Sequence, residues 1–397
     1  MARILVMIPS GEVYGHNNVR WYEYRNVQKF IDHYHNIGDA FVFDSSLKLL
    51  NYTKVQTLEI ATFDPNELDR LREEFDYVVL RGSNYINSEM DWRQSEQVLK
   101  RLGLPVLAFG IGAQAPTDGK IELSESTRNV LRLMADSTQS IGVRGAYTAE
   151  VLHDIGIDNT RIIGCPTAFR KNDPDLKIVL PALETVKKVG ITIRREVSPA
   201  YAKDIRQYLT LHRELIKSFA SRFDTVLMAQ GEREEKKIVL GTPEQKEEAI
   251  ATLKANAWAS EWYFDEQVEE LYRSRLFYSD VVADYDDCVR GCDLVLGYRL
   301  HGNLMALANG VPAIYFTYDS RTREFADTFK IPSFDVFAEK VFRLGDLWDQ
   351  SAFDAFNHAY AQTYAAMREF LDENNVDHVM HSPATLEQIN DLKIAWR

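Results

Sequence analysis

The chain has 397 residues, 45% of them hydrophobic, enough to bury the cores of two or three domains. Its 46 lysines and arginines against 59 aspartates and glutamates leave a net charge of −13, which repels phosphate polymers and argues against nucleic acid as a partner. No apolar run reaches the roughly 18 residues that span a bilayer, so no integral membrane segment is expected.

The opening MARILVMIPSG has an apolar core too short for a signal peptide and reads as a strand, Arg3 to Ile8, of a cytoplasmic protein. Short apolar runs that end in glycine or polar turns then alternate with amphipathic stretches, the pattern of parallel strands joined by helices. Helices are expected over Trp21 to Tyr34, Asp39 to Leu50, Pro65 to Glu74, Ser88 to Leu102 and Glu125 to Ala135. Strands are expected over Tyr77 to Leu80, Pro105 to Phe109 and Ser140 to Val143. Cys165, Cys288 and Cys292 lack companion ligands at metal spacing and read as buried small hydrophobes, so no metal site is expected.

RKNDPDLKIVLPAL, Arg170 to Leu183, combines two prolines with clustered charge and reads as an interdomain crossing. It divides the chain into a Rossmann-like domain over residues 1–172 and a second over 173–397. The alternation restarts with strand Lys188 to Ile193, helix Ala200 to Phe223, and strands Thr225 to Ala229, Asp293 to Leu296 and Val311 to Phe316. Between them Gln230 to Gln267, charged at first (GEREEKK), reads as a solvated loop and helix. Phe353, Phe356, Tyr360, Tyr364 and Met367 recur at helical spacing in a long packed helix. The expected class is α/β, with two mostly parallel sheets and a cleft between them at the strand ends.

The stretch GYRLHGNLMALANGVP, Gly297 to Pro312, places a helix start at about Leu300 and its exit near Gly310. A helix N-terminus offers unpaired N–H groups and partial positive charge, Gly302 permits close approach, and Arg299 adds a forked donor. His301 falls in that first turn, where it is also spaced to pack with Leu304, Met305 and Ala308 as a core histidine. Arg144, Arg194 and Arg195 follow other strands and point to the same cleft, so the arrangement reads as an anion site. Asp39 reads as a helix cap, and Asn36 as a cap or a holder of substrate oxygens. FGIGAQAP also fits a dinucleotide fingerprint, but Pro116 disrupts the helix that should follow; its glycines, Gly112 among them, are expected to line the cleft instead.

Taken in order, HNIGD (residues 35–39), FGIGAQ (109–114), VRG (143–145), GCPTAF (164–169) and YRLHG followed by ALANGVPAI resemble the polysaccharide pyruvyl transferase family, from about Asn36 to Phe334. The resemblance implies a GT-B-like fold and transfer of the enolpyruvyl group of phosphoenolpyruvate to a sugar or lipid-linked glycan. Phosphate is released, a cyclic pyruvate ketal forms, and no cofactor is needed beyond the donor. It places Asn36, Arg144, Arg299 and His301 around the donor; His301 and Arg299 are read as the catalytic pair, His301 either as the proton donor or as a group that holds the donor's phosphate. Arg194, Gly112, Leu300 and Gly302 join the donor side by their position in the chain. A long insertion before HNIGD carries Asn17, which competes with Asn36 for the donor-side position. LRGSN, Leu80 to Asn84, stands where relatives carry a glycine run, so Asn84 is expected on the acceptor side with Asn17 and Asp39. Arg321 and Arg323 stand where relatives carry a lysine. A nucleotide-sugar glycosyltransferase on the same fold is the alternative, action at the inner membrane surface follows if the acceptor is lipid-linked, and a homo-oligomer is left open.

Overall fold

Strand β1 (Ala2–Met7) is buried at every position but Arg3, because parallel partners cover both of its edges. The structure is a computed structural model that describes residues 1–14, 18–20, 31–32, 35–58, 60–61, 64–115, 120–198, 202–338 and 341–382. Asn17 and all of the expected helix Trp21 to Tyr34 except residues 31–32, which form a turn, lie outside the described residues. A short antiparallel hairpin, β2 (Glu12–Tyr14) and β3 (Asn18–Arg20), follows β1. With β4 (Tyr52–Leu58), β5 (Tyr77–Arg81) and β6 (Val106–Phe109), β1 forms a parallel sheet of order β4-β1-β5-β6. The parallel pair β7 (Ile141–Val143) and β8 (Thr160–Ile162) continues past β6, where the Gly110 N–H donates to the Gly142 carbonyl at 2.9 Å.

The second sheet is parallel throughout, in the order β11 (Leu276–Phe277), β10 (Asp224–Met228), β9 (Lys188–Thr192), β12 (Leu294–Gly297), β13 (Ala313–Thr317), β14 (Ser333–Asp335). The chain is α/β, with two Rossmann-like parallel sheets, as expected. In each sheet the strand order reverses beside the strand that starts it: between β1 and β5 in the first, between β9 and β12 in the second. Such a reversal opens a crevice at the carboxyl ends of the strands.

Helix boundaries follow local capping. Asp64 accepts from the Asn66 N–H with Pro65 at the first turn, so the helix Pro65–Glu74 has the ends read from sequence. The helix Ile37–Leu49 starts two residues earlier than expected, because Asn36, not Asp39, is its cap: Asn36 Oδ1 accepts from the Gly38 N–H at 3.1 Å. The helix expected from Ser88 begins only at Arg93, since the residues before it form a loop in which Asn87 donates to the Asn84 carbonyl at 2.7 Å. The charged tract after Gln230 is not solvated at its start. It folds into the helices Arg233–Leu240, Pro243–Ala255, Ala257–Trp262 and Glu266–Arg275, and Glu232, Glu235 and Lys236 are fully buried.

The two halves are bolted together through Arg170. Its guanidinium, wholly buried, donates to Asp44 Oδ2 at 2.7 Å in the first half and to Asp286 Oδ1 and Oδ2 at 3.0 and 2.6 Å in the second, with Ser45 Oγ at 2.8 Å. Asn309 completes the group, donating to Asp286 at 2.7 Å. The long helix Gln350–Glu373 then returns to the first half, where Glu373 accepts from Arg161 Nε at 2.9 Å. Among the described residues no helix is long and apolar enough to cross a membrane.

Candidate active site

At the end of β12, Gly297 has φ +134, a conformation open to glycine; a Cβ there would lie 2.4 Å from the Thr192 carbonyl of the neighbouring strand. The tight turn brings the Arg299 N–H onto Thr192 Oγ1 at 3.2 Å and starts the helix Leu300–Ala308 with no side-chain cap. From Gly302 to Ala308 that helix is buried, so its apolar part anchors a first turn that faces a cavity of about 360 Å³. The cavity lies between the two switch points. Asn36, Asp39, Ser83, Asn84, Gln114 and Arg144 line it from the first half, and Arg194, Gln230, Tyr298, Arg299, Leu300, His301 and Arg321 from the second.

Four guanidinium groups therefore meet one carboxylate, Asp39, on the cavity wall. Arg144 is 1% exposed; Asn84 Oδ1 accepts from it, the Phe325 ring lies 4.9 Å from its guanidinium carbon, and its Nε has no partner among the described residues. Burial, helped by the Arg321 charge, lowers the Arg144 pKa to about 10, so it stays charged at neutral pH while poorly compensated. Arg321 is opposed by burial but held by Asp319 at 3.1 Å, and its pKa rises. Arg194 donates to the Tyr318 hydroxyl and lies over its ring at 5.5 Å. Arg299 donates through Nε to the Ile193 carbonyl at 3.1 Å and through Nη2 to Glu232. Burial works against the Glu232 carboxylate, and the Arg299 charge outweighs it, so the Glu232 pKa is lowered.

His301 is partly open to the cavity, with Nδ1 3.9 Å from Cys165 Sγ and its ring edge-on to Phe325 at 6.2 Å. Burial first, then the charges of Arg144, Arg321, Arg81 and Arg299, push its pKa well below the usual histidine value. The free imidazole is neutral, a donor or acceptor according to its tautomer. Asp39 accepts from Arg81 Nη1 at 3.4 Å, and Asn84 Nδ2 donates to Gln114 Oε1 at 2.9 Å, which gives the first-half wall mixed polarity.

The sequence-derived group is thus brought together at Asn36, Asp39, Asn84, Arg144, Arg194, Arg299, Leu300 and His301. Three expectations are corrected. Arg195 faces away from the cleft, because Glu235 Oε1 accepts from its Nε at 2.9 Å and Glu234 from its Nη2 at 2.6 Å. Gly302 makes room within the protein: a Cβ there would lie 2.5 Å from Gln230 Nε2 and 2.8 Å from Thr192 Cγ2. Gly112 likewise admits the Arg144 side chain, whose Cδ would lie 2.6 Å from an added Cβ. Gln230, Glu232 and Arg81 escape a reading by motif; the last shows only as an arginine at the end of a buried strand.

Among solved structures the chain is similar to the UDP-N-acetylglucosamine 2-epimerase from Rickettsia bellii, with 12% identity, 94% of this chain and 95% of that one covered, and a TM-score of 0.44. It is also similar to the UDP-GlcNAc 2-epimerase from Neisseria meningitidis bound to UDP-GlcNAc, at 10% identity, 94% and 99% coverage and a TM-score of 0.41. Anabaena HepE in complex with UDP-glucose gives 12% identity, 94% and 96% coverage and a TM-score of 0.41. No curated protein sequence matches the chain. The family profile described as polysaccharide pyruvyl transferase matches residues 36–320, a span that holds the asparagine cap, the Arg144 turn, and the helix start at Leu300. The chain belongs to the polysaccharide pyruvyl transferase family.

Proposed function

We propose that the chain transfers the enolpyruvyl group of phosphoenolpyruvate to a glycan and closes it into a pyruvate ketal. The observation that carries this reading is the cavity in which Arg144, Arg194, Arg299 and Arg321 surround an uncapped helix start. Phosphoenolpyruvate presents a phosphate and a carboxylate, and forked guanidinium groups with open backbone N–H groups match both. A proton delivered to the methylene carbon makes the neighbouring carbon cationic. One sugar hydroxyl bonds to that carbon and loses its proton, phosphate leaves with the C–O bond electrons and regenerates the cation, and a second hydroxyl bonds there, loses its proton and closes the ring. His301 is the proton donor in this scheme, once the donor's negative charge has raised the pKa that burial and the arginines depress. No cofactor is required. In this reading Asp39, which accepts from Arg81, serves the acceptor side together with Asn84.

The test incubates the protein with phosphoenolpyruvate and a panel of pyranose acceptors, following free phosphate and product mass. Acceptor-dependent phosphate, with a product heavier by one pyruvic acid less one water, is the expected result. Nucleoside diphosphate release from a sugar nucleotide, with no phosphate from phosphoenolpyruvate, would replace this reading with a glycosyltransferase.

A further inference from the structure

The turn after β10, Ala229 to Glu232, carries an amide that the scheme above does not use. Gln230 lies between the N-termini of two helices, one from each half of the chain. Its carbonyl accepts from the Ile37 N–H at 2.7 Å, which fixes the turn against the helix Ile37–Leu49. Its side chain is 1% exposed and lines the cavity beside Asn36, Leu300 and His301. A glycine on each helix makes the slot: a Cβ on Gly38 would lie 2.9 Å from Gln230 Oε1, and one on Gly302 would lie 2.5 Å from Nε2. Gly231 lets the turn press on the loop that leads into that first helix, since a Cβ there would meet the His35 carbonyl oxygen at 2.3 Å. Larger residues at these glycines would displace the amide.

In this slot Gln230 Nε2 has no hydrogen-bond partner among the described residues. A buried donor left unpaired is costly, and the guanidinium groups around the cavity cannot relieve it, because they too only donate. The uncapped start of the helix Leu300–Ala308 adds donors and positive potential at the same point, and the helix Ile37–Leu49, whose first N–H groups are already bonded to Gln230 and Asn36, adds the positive end of its dipole. The missing partner is therefore an acceptor carrying negative charge.

We infer that Gln230 contacts the donor directly, its Nε2–H donating to a carboxylate or phosphate oxygen of phosphoenolpyruvate. The inference rests on the pyruvyl-transfer reading. A neutral amide gives this oxygen a directional bond without a further charge, and its place between the halves lets one side chain sense the donor against both. Backbone anchoring through Ile37 is untouched by side-chain substitution, so binding and folding are separable at this position.

Calorimetric titration of phosphoenolpyruvate into the wild type, Gln230→Glu and Gln230→Met tests this, with thermal melting of each protein alongside. The expected result is wild-type melting, a dissociation constant raised roughly tenfold or more in Gln230→Met, and a larger rise in Gln230→Glu, whose carboxylate repels the donor. In turnover assays the donor KM rises while the acceptor KM does not. If both folded variants bind phosphoenolpyruvate as tightly as the wild type, the inference fails and the pyruvyl reading stands. If the wild type binds no phosphoenolpyruvate, both fail.

Discussion

The buried carboxylate of Glu232 holds the guanidinium of Arg299, so the arginine at the helix start reaches the cavity with its orientation already set. Removing one member of a buried pair strands the other charge. Glu232→Ala is expected to lose about 3–5 kcal/mol of stability, read by urea denaturation. Glu232→Gln keeps an acceptor for Arg299 and should lose less. A Glu232→Ala protein with the wild-type urea midpoint would show that the pair does not act this way.

Arg144 presents the opposite case, a buried charge whose partners are an amide and an aromatic ring. Arg144→Met removes that charge and keeps the packing. Its melting temperature should equal or exceed the wild-type value, while phosphoenolpyruvate affinity falls by a factor of about 10–100, the loss of a charge-assisted bond. A variant that melts early and binds normally would make Arg144 structural.

His301→Ala should reduce turnover at least about a hundredfold with folding intact. Because the free imidazole is neutral, a His301 that supplies the proton must acquire one when the donor binds. Titrations in two buffers of different ionisation enthalpy should then report proton uptake in the wild type and less in the variant. Wild-type turnover in His301→Ala would return the residue to a packing role.

His212 gives a prediction independent of function. It is wholly buried among Tyr208, Tyr263 and Tyr298, neither ring nitrogen has a partner among the described residues, and burial with the Arg299 charge lowers its pKa to about 3. The unfolded chain binds this proton below pH about 6.5 and the folded chain does not, so stability falls as the pH drops. Its contribution is about 1.4 kcal/mol per pH unit between those values. His212→Phe should flatten the dependence of urea midpoint on pH in that window; an unchanged slope would count against it.

The parallel architecture was legible because buried strands such as Tyr77–Arg81 are continuous apolar runs with a polar turn after them. Tyr52–Leu58 was not, since an edge strand with alternating polar residues resembles the end of the helix before it. In the cavity, residues at strand and helix ends were found from their positions, because topology alone carries strand ends to one crevice. Glu232 and Glu235 were read as solvated because their partners, Arg299 and Arg195, lie far away in sequence. A charge run looks the same on the surface and in the interior until those distant arginines are placed. Gln230 had no motif at all, and only the glycines packed around it mark its slot.

The Arg170 bolt also bears on the shape of the cavity. With Asp44 and Asp286 holding one buried guanidinium from either side, moving the halves apart would break a buried ion-pair group. The two walls of the cavity, one from each half, are thus held in register by a group that is not itself part of the cavity lining.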